Sequence, residues 1–172
     1  MKMSFGLERA RNWQDAGRQK VCDPQGDKTS DMTRGYLYAA MNPASGDLFG
    51  LILPSMTVES MSLFVREFRL WLKENGEAEA ETLLVLDGAG AHRSERVSYG
   101  LMEKELLPPY SPELNRVERF FQELRRELKN KVYESYEEVE KAVEELFKKY
   151  LAQPETVKKL TNFHWLHTIP TY

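Results

Sequence analysis

Hydrophobic positions in the first half of the chain occur in short runs that are typical of strands. Tyr36–Met41 and Leu48–Leu53 are apolar and rich in aromatic residues, and the intervening Asn42–Asp47 is rich in turn-forming residues. This pattern predicts an antiparallel hairpin with a longer turn. A shorter strand is predicted at Phe5–Leu7, within an N-terminal region that is otherwise polar and irregular.

The middle of the chain alternates between helical and strand patterns. Thr57 is a favourable N-cap for a helix over Val58–Asn75, whose apolar residues recur at spacings of three and four. Thr82–Asp87 is a continuous apolar run that ends in a carboxylate, which predicts a buried strand covered on both faces. A short helix is predicted at Arg93–Leu101, followed by a strand at Glu105–Leu107.

The last third of the chain is predicted to be mainly helical. Pro108–Pro112 contains three prolines and predicts a rigid, extended loop. Helices follow at Leu114–Asn130, at Tyr136–Leu151 with Ser135 as N-cap, and at Pro154–Leu166. This order of elements predicts an α/β domain with a mixed sheet, flanked by helices and closed by C-terminal helices.

Composition limits the class of protein. A chain of 172 residues with 41% hydrophobic and 30% charged residues corresponds to one folded domain and excludes general disorder. The single Cys22 forms no internal disulfide, and one cysteine with three histidines gives no zinc pattern. No apolar run approaches the ~18 residues of a membrane span, and no signal peptide is evident. We therefore expect a cytoplasmic protein with no membrane contact.

The net charge of −3, from 24 basic and 27 acidic residues, gives no overall cationic signature. Any surface that binds nucleic acid must therefore be a local patch. Candidates for phosphate contacts are Arg9 and Arg11 near the N-terminus, and Arg119 and Arg125 on the predicted helix after the proline loop. The alternative for each of these residues is a role in solubility alone.

Asp87 is the first candidate for chemistry. It ends the buried strand and precedes Gly88. In open α/β sheets, reactive groups gather at the carboxyl ends of strands, so Asp87 is a candidate metal ligand or base. The alternative is an Asp that caps the next turn. Gly88–Gly90 lacks the third glycine and the lysine of a nucleotide-binding loop, and His92 is close enough in sequence to face the same site.

Glu118 is the second candidate. It lies in the first turn of the helix that follows the proline loop, at the margin of the predicted buried face. By helical spacing it shares a stripe with Gln122, Arg125 and Lys129. From that margin its carboxylate could reach toward the sheet. The alternative is a solvated helix face stabilised by Glu–Arg pairs.

Together the two segments resemble a known family. Leu83–His92 (LLVLDGAGAH) and Leu107–Glu118 (LPPYSPELNRVE) resemble the second and third catalytic motifs of DDE transposases, in the bacterial insertion-sequence branch that groups with the mariner elements. Asp87 and Glu118 are 31 positions apart, close to the spacing in that family. Tyr36–Pro54 also resembles the hairpin of the family, so the likeness covers nearly the whole chain.

The resemblance implies a ribonuclease-H-like fold that acts on DNA, including insertion-sequence ends and target DNA. Members of the family use three carboxylates to hold two Mg²⁺ or Mn²⁺ ions for in-line attack on a phosphodiester. Asp87 matches the second carboxylate and Glu118 the third, and both are therefore expected to be catalytic metal ligands. His92 matches a recurrent accessory position.

The chain also departs from the family pattern. The first Asp of the family would fall at about Met1 or Lys2, where no carboxylate stands, and four later aspartates lie in loop-like sequence. These are Asp15, Asp23, Asp27 and Asp31. Gly88 stands where the family usually has Asn, and Arg116 where it usually has Pro. The family's helix-turn-helix region is also missing from the sequence.

These departures lead to an expectation about activity. We expect a single catalytic domain over residues 1–172 that is truncated at its N-terminus, with an incomplete first strand and little or no strand cleavage. The alternative is a non-catalytic transposase-derived module that binds DNA or a protein partner. A nucleotide-binding α/β protein is a third hypothesis, which rests only on Gly88–Gly90. The amphipathic C-terminal helices are also compatible with a homodimer.

Overall fold

The computed structural model describes residues 2–7, 35–88, 90–109, 111, 114–129, 131, 133 and 135–161, with the backbone alone for residues 2–7. The strands are β1 Lys2–Leu7, β2 Tyr36–Met41, β3 Leu48–Leu53, β4 Leu83–Leu86 and β5 Glu103–Leu106. The helices are α1 Val58–Glu74, α2 Gly90–Arg93, α3 Arg116–Leu128, α4 Tyr136–Leu151 and α5 Pro154–Thr161. None of these helices is long and apolar enough to cross a membrane.

The five described strands form one mixed sheet in the order β3-β2-β1-β4-β5. β1 pairs antiparallel with β2, and β2 antiparallel with β3. β4 lies parallel to both β1 and β5, with Ser4 of β1 opposite Val85 of β4. The mixed sheet predicted from the order of elements is confirmed, and β1 occupies its centre.

The turn between β2 and β3 forms as predicted. Met41 pairs with Leu48, and the Asn42 N–H donates to the Asp47 carbonyl oxygen at 2.9 Å. Asn42 also accepts the N–H of Ala44 on its side-chain Oδ1 at 2.9 Å. Gly46 has φ +82°, a conformation that glycine adopts without strain.

One face of the sheet packs against α1. Thr57 caps this helix by accepting the N–H of Ser60 on its Oγ1 at 3.2 Å. Side chains that alternate along β2 and β4 point toward α1 and meet its apolar stripe. The fully buried members of this core include Tyr38, Ala40, Phe64, Phe68, Leu84 and Leu86. Stacked and tilted aromatic rings, including the Phe64–Phe68 pair, fill the centre.

The opposite face of the sheet packs against α3, α4 and α5. The other alternating set of β2 points this way, and Ser135 caps α4 by accepting the N–H of Glu138 on its Oγ at 3.3 Å. The buried residues on this side include Leu37, Ala39, Met41, Val117, Phe120, Leu124, Val143 and Val157. The predicted α/β architecture with C-terminal helices is therefore confirmed, and α3 lies directly across β1 and β2.

The predicted helix over Arg93–Leu101 is wrong. Helix α2 ends at Arg93, and the following N–H groups bond three residues back, as in turns. The buried residues Val97, Tyr99 and Met102 do not share a helical spacing, and Gly100 has φ +65°. Core packing of this segment therefore outweighs its modest helical preference.

Several boundaries also differ. Strand β5 covers Glu103–Leu106 instead of Glu105–Leu107, because its pairing starts opposite Leu83. Helix α3 starts at Arg116 rather than Leu114, and β1 is longer than the predicted Phe5–Leu7. The final helix is described only to Thr161, and the rest of the predicted Pro154–Leu166 segment lies outside the described residues.

Candidate active site at the carboxyl end of strand β4

Strand β4 presents Asp87 on the side of the sheet that faces α3. Leu84 and Leu86 point into the α1 core and are fully buried. Because side chains alternate along a strand, Val85 and then Asp87 point to the opposite side. The Asp87 side chain is 34% exposed, so it lies at the rim of the α3 face rather than within the core.

Helix α3 brings Glu118 to the same rim. Val117 and Phe121 are buried against the sheet, and Glu118 is half-buried beside them in the first turn. Burial raises the pKa of Glu118 to about 7, and the negative charge of Asp87 adds to the increase. Because the charge of Asp87 acts on Glu118, the two carboxyl groups lie within electrostatic range of each other.

His92 orients Asp87. The imidazole is fully buried, and its Nδ1 lies 2.6 Å from Asp87 Oδ1 and 3.1 Å from the Asp87 carbonyl oxygen. The His92 carbonyl oxygen in turn accepts the Tyr99 hydroxyl at 3.3 Å and Lys104 Nζ at 3.4 Å. The sequence suggested that His92 could face the site, and the structure brings it into contact with Asp87.

Arg93 is a further residue at the rim that sequence reasoning missed. A Cβ atom built on Gly88 would lie 2.6 Å from Arg93 Nη2, so the guanidinium covers the glycine next to Asp87. The signal in the sequence was the departure at Gly88, where the related family usually has Asn. A side chain at this position would take the space that the guanidinium occupies.

The arginines that were predicted to contact DNA differ in their exposure, and only two of the four lie among the described residues. Arg119 is exposed on α3, and Arg125, six residues further along the same helix, is half-buried. Burial lowers the pKa of Arg125 and also that of Arg116. Arg9 and Arg11 lie outside the described residues.

The predicted stripe on α3 is formed only in part. Glu118 and Arg125 lie at the margin of the core, whereas Gln122 and Lys129 are exposed. The helix is therefore rotated so that Glu118, rather than the whole stripe, approaches the sheet.

The two carboxylates suit a divalent cation. Carboxylate oxygens are the preferred protein ligands of Mg²⁺ and Mn²⁺. Burial is the main cause of the raised pKa of Glu118, and a cation held by Asp87 and Glu118 would offset the repulsion by Asp87 that adds to it. The described residues contain no group of three or more His, Cys, Asp or Glu side chains that could hold a metal. Strand β1 (KMSFGL) has no carboxylate, and Asp15, Asp23, Asp27 and Asp31 lie outside the described residues.

The mixed sheet in this strand order, packed between α1 on one face and α3 to α5 on the other, is the ribonuclease-H-like fold of transposase catalytic cores. Residues 2–140 match the family of DDE superfamily endonucleases, and the chain belongs to that family. An uncharacterized protein of Sinorhizobium fredii (strain NBRC 101917 / NGR234), y4pE/y4sA, is 28% identical over 134 residues, which cover 77% of this chain and 96% of that protein.

Solved structures show the same fold. The catalytic domain of the Mos1 mariner transposase aligns with a TM-score of 0.62 and 14% identity, over 92% of this chain and 78% of that one. A pre-cleavage Mos1 transpososome aligns with a TM-score of 0.59 and 16% identity. The Mos1 strand transfer complex gives a TM-score of 0.58 and 17% identity over 93% of this chain. The chain spans about half, 53%, of the Mos1 chain in that complex.

Proposed function

We propose that this chain is a transposase catalytic domain that binds DNA and holds a divalent cation between Asp87 and Glu118, with little or no strand cleavage of its own. The observation that carries the proposal is that Glu118 is half-buried within electrostatic range of Asp87, so that its pKa is raised to about 7 by burial and by the charge of Asp87. The motifs around both residues also resemble those of the insertion-sequence branch that groups with the mariner elements.

Each residue of the site has a distinct role in this proposal. Asp87 and Glu118 are the metal ligands and the catalytic residues, and His92 holds the Asp87 carboxylate in place. Mg²⁺ or Mn²⁺, when bound, would stabilise charge that develops on the phosphodiester. Arg93 at the rim would bind a phosphate oxygen, because a guanidinium recognises phosphate through paired hydrogen bonds.

Weak cleavage follows from the number of carboxylates. Two-metal catalysis of phosphodiester attack needs enough oxygen ligands to hold both ions. Asp87 and Glu118 can hold one hydrated ion, but strand β1 supplies no third carboxylate. The chain is therefore expected to retain metal binding but to have little or no strand-cleavage activity.

The proposed partner is the DNA of insertion-sequence ends and target sites. The Mos1 structures include a complex with a left transposon end and a strand transfer complex. By analogy, we place DNA along the rim that carries Arg93, Arg119 and Arg125, with Arg9 and Arg11 as further contacts. We also propose that residues 1–172 act as one domain in the cytoplasm, and that the C-terminal helices mediate a homodimer.

Calorimetric titration with Mn²⁺ tests the metal site. The wild-type chain should bind Mn²⁺ weakly, and Asp87→Ala should abolish binding. Glu144→Ala, which removes an exposed carboxylate on α4, is the matched control and should bind Mn²⁺ as the wild type does. Equal binding by wild type and Asp87→Ala would overturn the assignment of the site.

A nicking assay on supercoiled DNA tests the predicted loss of chemistry. Wild-type protein in Mg²⁺ or Mn²⁺ should give no more nicked product than Asp87→Ala. Robust metal-dependent nicking that Asp87→Ala abolishes would show that the domain is an active endonuclease and would contradict this part of the proposal.

A second candidate function is a non-catalytic DNA-binding module, which the guanidinium of Arg93 over Gly88 favours. It predicts salt-sensitive DNA binding that persists when both carboxylates are replaced by alanine. Binding that depends on Asp87, Glu118 and added Mn²⁺ would instead favour the catalytic-domain proposal.

A further inference from the structure

Asn115 lies at the start of α3, in a residue pattern that normally caps the N-terminus of a helix. Asn115 is the N-cap residue, and Glu118 follows at the third helical position, which is the spacing of a capping box. The Asn115 backbone has the extended conformation of an N-cap, with φ −84° and ψ 104°. Sequence and backbone therefore both predict that the two side chains satisfy N–H groups of the first turn.

Neither side chain does so. The Asn115 side chain makes no hydrogen bond to the helix end, and the Glu118 N–H donates instead to the Asn115 backbone oxygen at 3.1 Å. The shifted pKa of Glu118 arises from burial and from Asp87, without a contribution from a hydrogen bond. Both polar side chains are therefore left for a role other than capping.

Burial makes the state of Asn115 unusual. The residue is 1% exposed, yet Oδ1 and Nδ2 both have no hydrogen-bond partner among the described residues. Asn42 is also fully buried, and its Nδ2 has no partner among the described residues, but its Oδ1 accepts two backbone N–H groups of its own turn. Buried side-chain polar atoms usually have partners, and exceptions occur where a ligand or water completes the bonding.

We propose that Asn115 is the third polar side chain of the Asp87–Glu118 site, where its carboxamide binds the water shell of the divalent cation. This inference rests on the proposed metal site. Mg²⁺ and similar ions keep several coordinated waters, and those waters need hydrogen-bond partners in the protein. A neutral carboxamide provides both a donor and an acceptor without adding charge to two carboxylates that already repel each other.

Matched substitutions at the two buried asparagines test the proposal. Asn115→Leu replaces the carboxamide with an apolar group of similar size, and Asn42→Leu does the same in the hairpin turn. For Asn115→Leu we expect an apo melting temperature about 2 to 4 °C above wild type, with Mn²⁺ affinity reduced about 10-fold or more. Asn42→Leu should lower the melting temperature and leave Mn²⁺ affinity unchanged. Asn115→Asp, which keeps an oxygen that accepts hydrogen bonds from the coordinated waters, should retain Mn²⁺ binding.

The outcomes separate this inference from the proposed function. If wild type binds Mn²⁺ and Asn115→Leu binds equally well, the role of Asn115 is overturned while the metal site stands. A lower melting temperature for Asn115→Leu, with unchanged Mn²⁺ affinity, would likewise show a purely structural residue. If wild type binds no Mn²⁺, the proposed metal site fails, and the inference fails with it.

Discussion

The sheet face that packs against α1 and the face that packs against α3 are both apolar inside, but they differ in the residues at their rims. The α1 face is apolar from β2 through Leu84 to Leu86, and aromatic rings fill the space between the sheet and α1. The α3 face has an equally apolar interior, but at its rim Asp87 and Glu118 replace the next apolar contacts. A rim with two carboxylates can therefore be supported by the same packing that buries an apolar core, because the chain changes from Leu86 to Asp87 directly after β4.

The comparison also shows how the site is supported. On the α1 side, Tyr99 and His92 are buried, and the Tyr99 hydroxyl bonds the His92 carbonyl oxygen. On the α3 side, Phe120 and Phe121 fix the rotation of the helix that carries Glu118. The α1 face thus orients Asp87 through His92, and the α3 face presents Glu118.

Truncating one large core ring on each face is expected to give the largest effects. Phe64 of α1 and Phe120 of α3 are both fully buried. Replacing either with alanine should lower the free energy of unfolding by about 3–5 kcal/mol, measured by urea denaturation. Phe120→Ala alone should also weaken Mn²⁺ binding under conditions where both variants remain folded, because it loosens the helix that carries Glu118. Equal weakening by Phe64→Ala would remove the distinction between the faces.

The pH dependence of stability is expected to be the next largest effect. The pKa of Glu118 is about 7 in the folded state, against an ordinary value of 4.5. A raised carboxyl pKa means that the fold favours the protonated form, so this stabilisation is full below pH 4.5 and is lost as pH rises through about 7. The wild type should therefore lose about 1–3 kcal/mol relative to Glu118→Gln across this range.

Urea denaturation of both proteins at several pH values between 4.5 and 7.5 would measure this difference. Asp87→Asn should reduce the slope as well, since it removes the charge that adds to the shift. If the free energy of unfolding changes with pH in the same way for wild type and Glu118→Gln, the Glu118 carboxyl group is solvated. Its burial beside Asp87 would then be wrong.

The smallest expected effect concerns Arg93 and Gly88. Gly88→Asn would displace the flexible guanidinium, so stability should change by less than about 0.5 kcal/mol. DNA affinity should fall about threefold to tenfold, as it should for Arg93→Ala, with a salt dependence reduced by about one phosphate contact. Fluorescence anisotropy with a labelled duplex at several salt concentrations would measure both quantities.

Arg66→Ala is the matched control for this experiment, because Arg66 is an exposed arginine on α1 paired with Glu67. It should leave DNA affinity nearly unchanged. A loss equal to that of Arg93→Ala would indicate nonspecific attraction to basic residues rather than a contact at the rim.

Much of the fold could be predicted from the sequence. The hairpin and β4 follow from short apolar runs, and α1, α3 and α4 follow from apolar spacings of three and four together with the caps Thr57 and Ser135. The predicted helix after Arg93 was wrong because burial of Val97 and Tyr99 outweighs local preference there. The spacing of apolar residues predicts an element correctly where those residues are also the ones that are buried. The prediction fails where the buried residues have no regular spacing, as between Val97 and Met102.

The candidate site was predictable in its members but not in its arrangement. The end of β4 and the first turn of α3 identified Asp87 and Glu118, and their motifs carry the resemblance to DDE transposases. Nothing local distinguishes the Asn115–Glu118 spacing from an ordinary capping box, and nothing local places Arg93 over Gly88. The catalytic roles of Asp87 and Glu118 and the contributions of Arg119 and Arg125 stay predictions.

By itself the sequence determined where strands and helices form and which carboxylates end or begin them, because periodicity, caps and prolines act over a few residues. Only the tertiary structure decided that the charge of Asp87 acts on Glu118, that His92 is buried against Asp87, and that the Asn115 side chain makes no capping hydrogen bond at the start of α3. These features depend on how α3 crosses β1 and β2, and that crossing is set by packing between segments far apart in the chain.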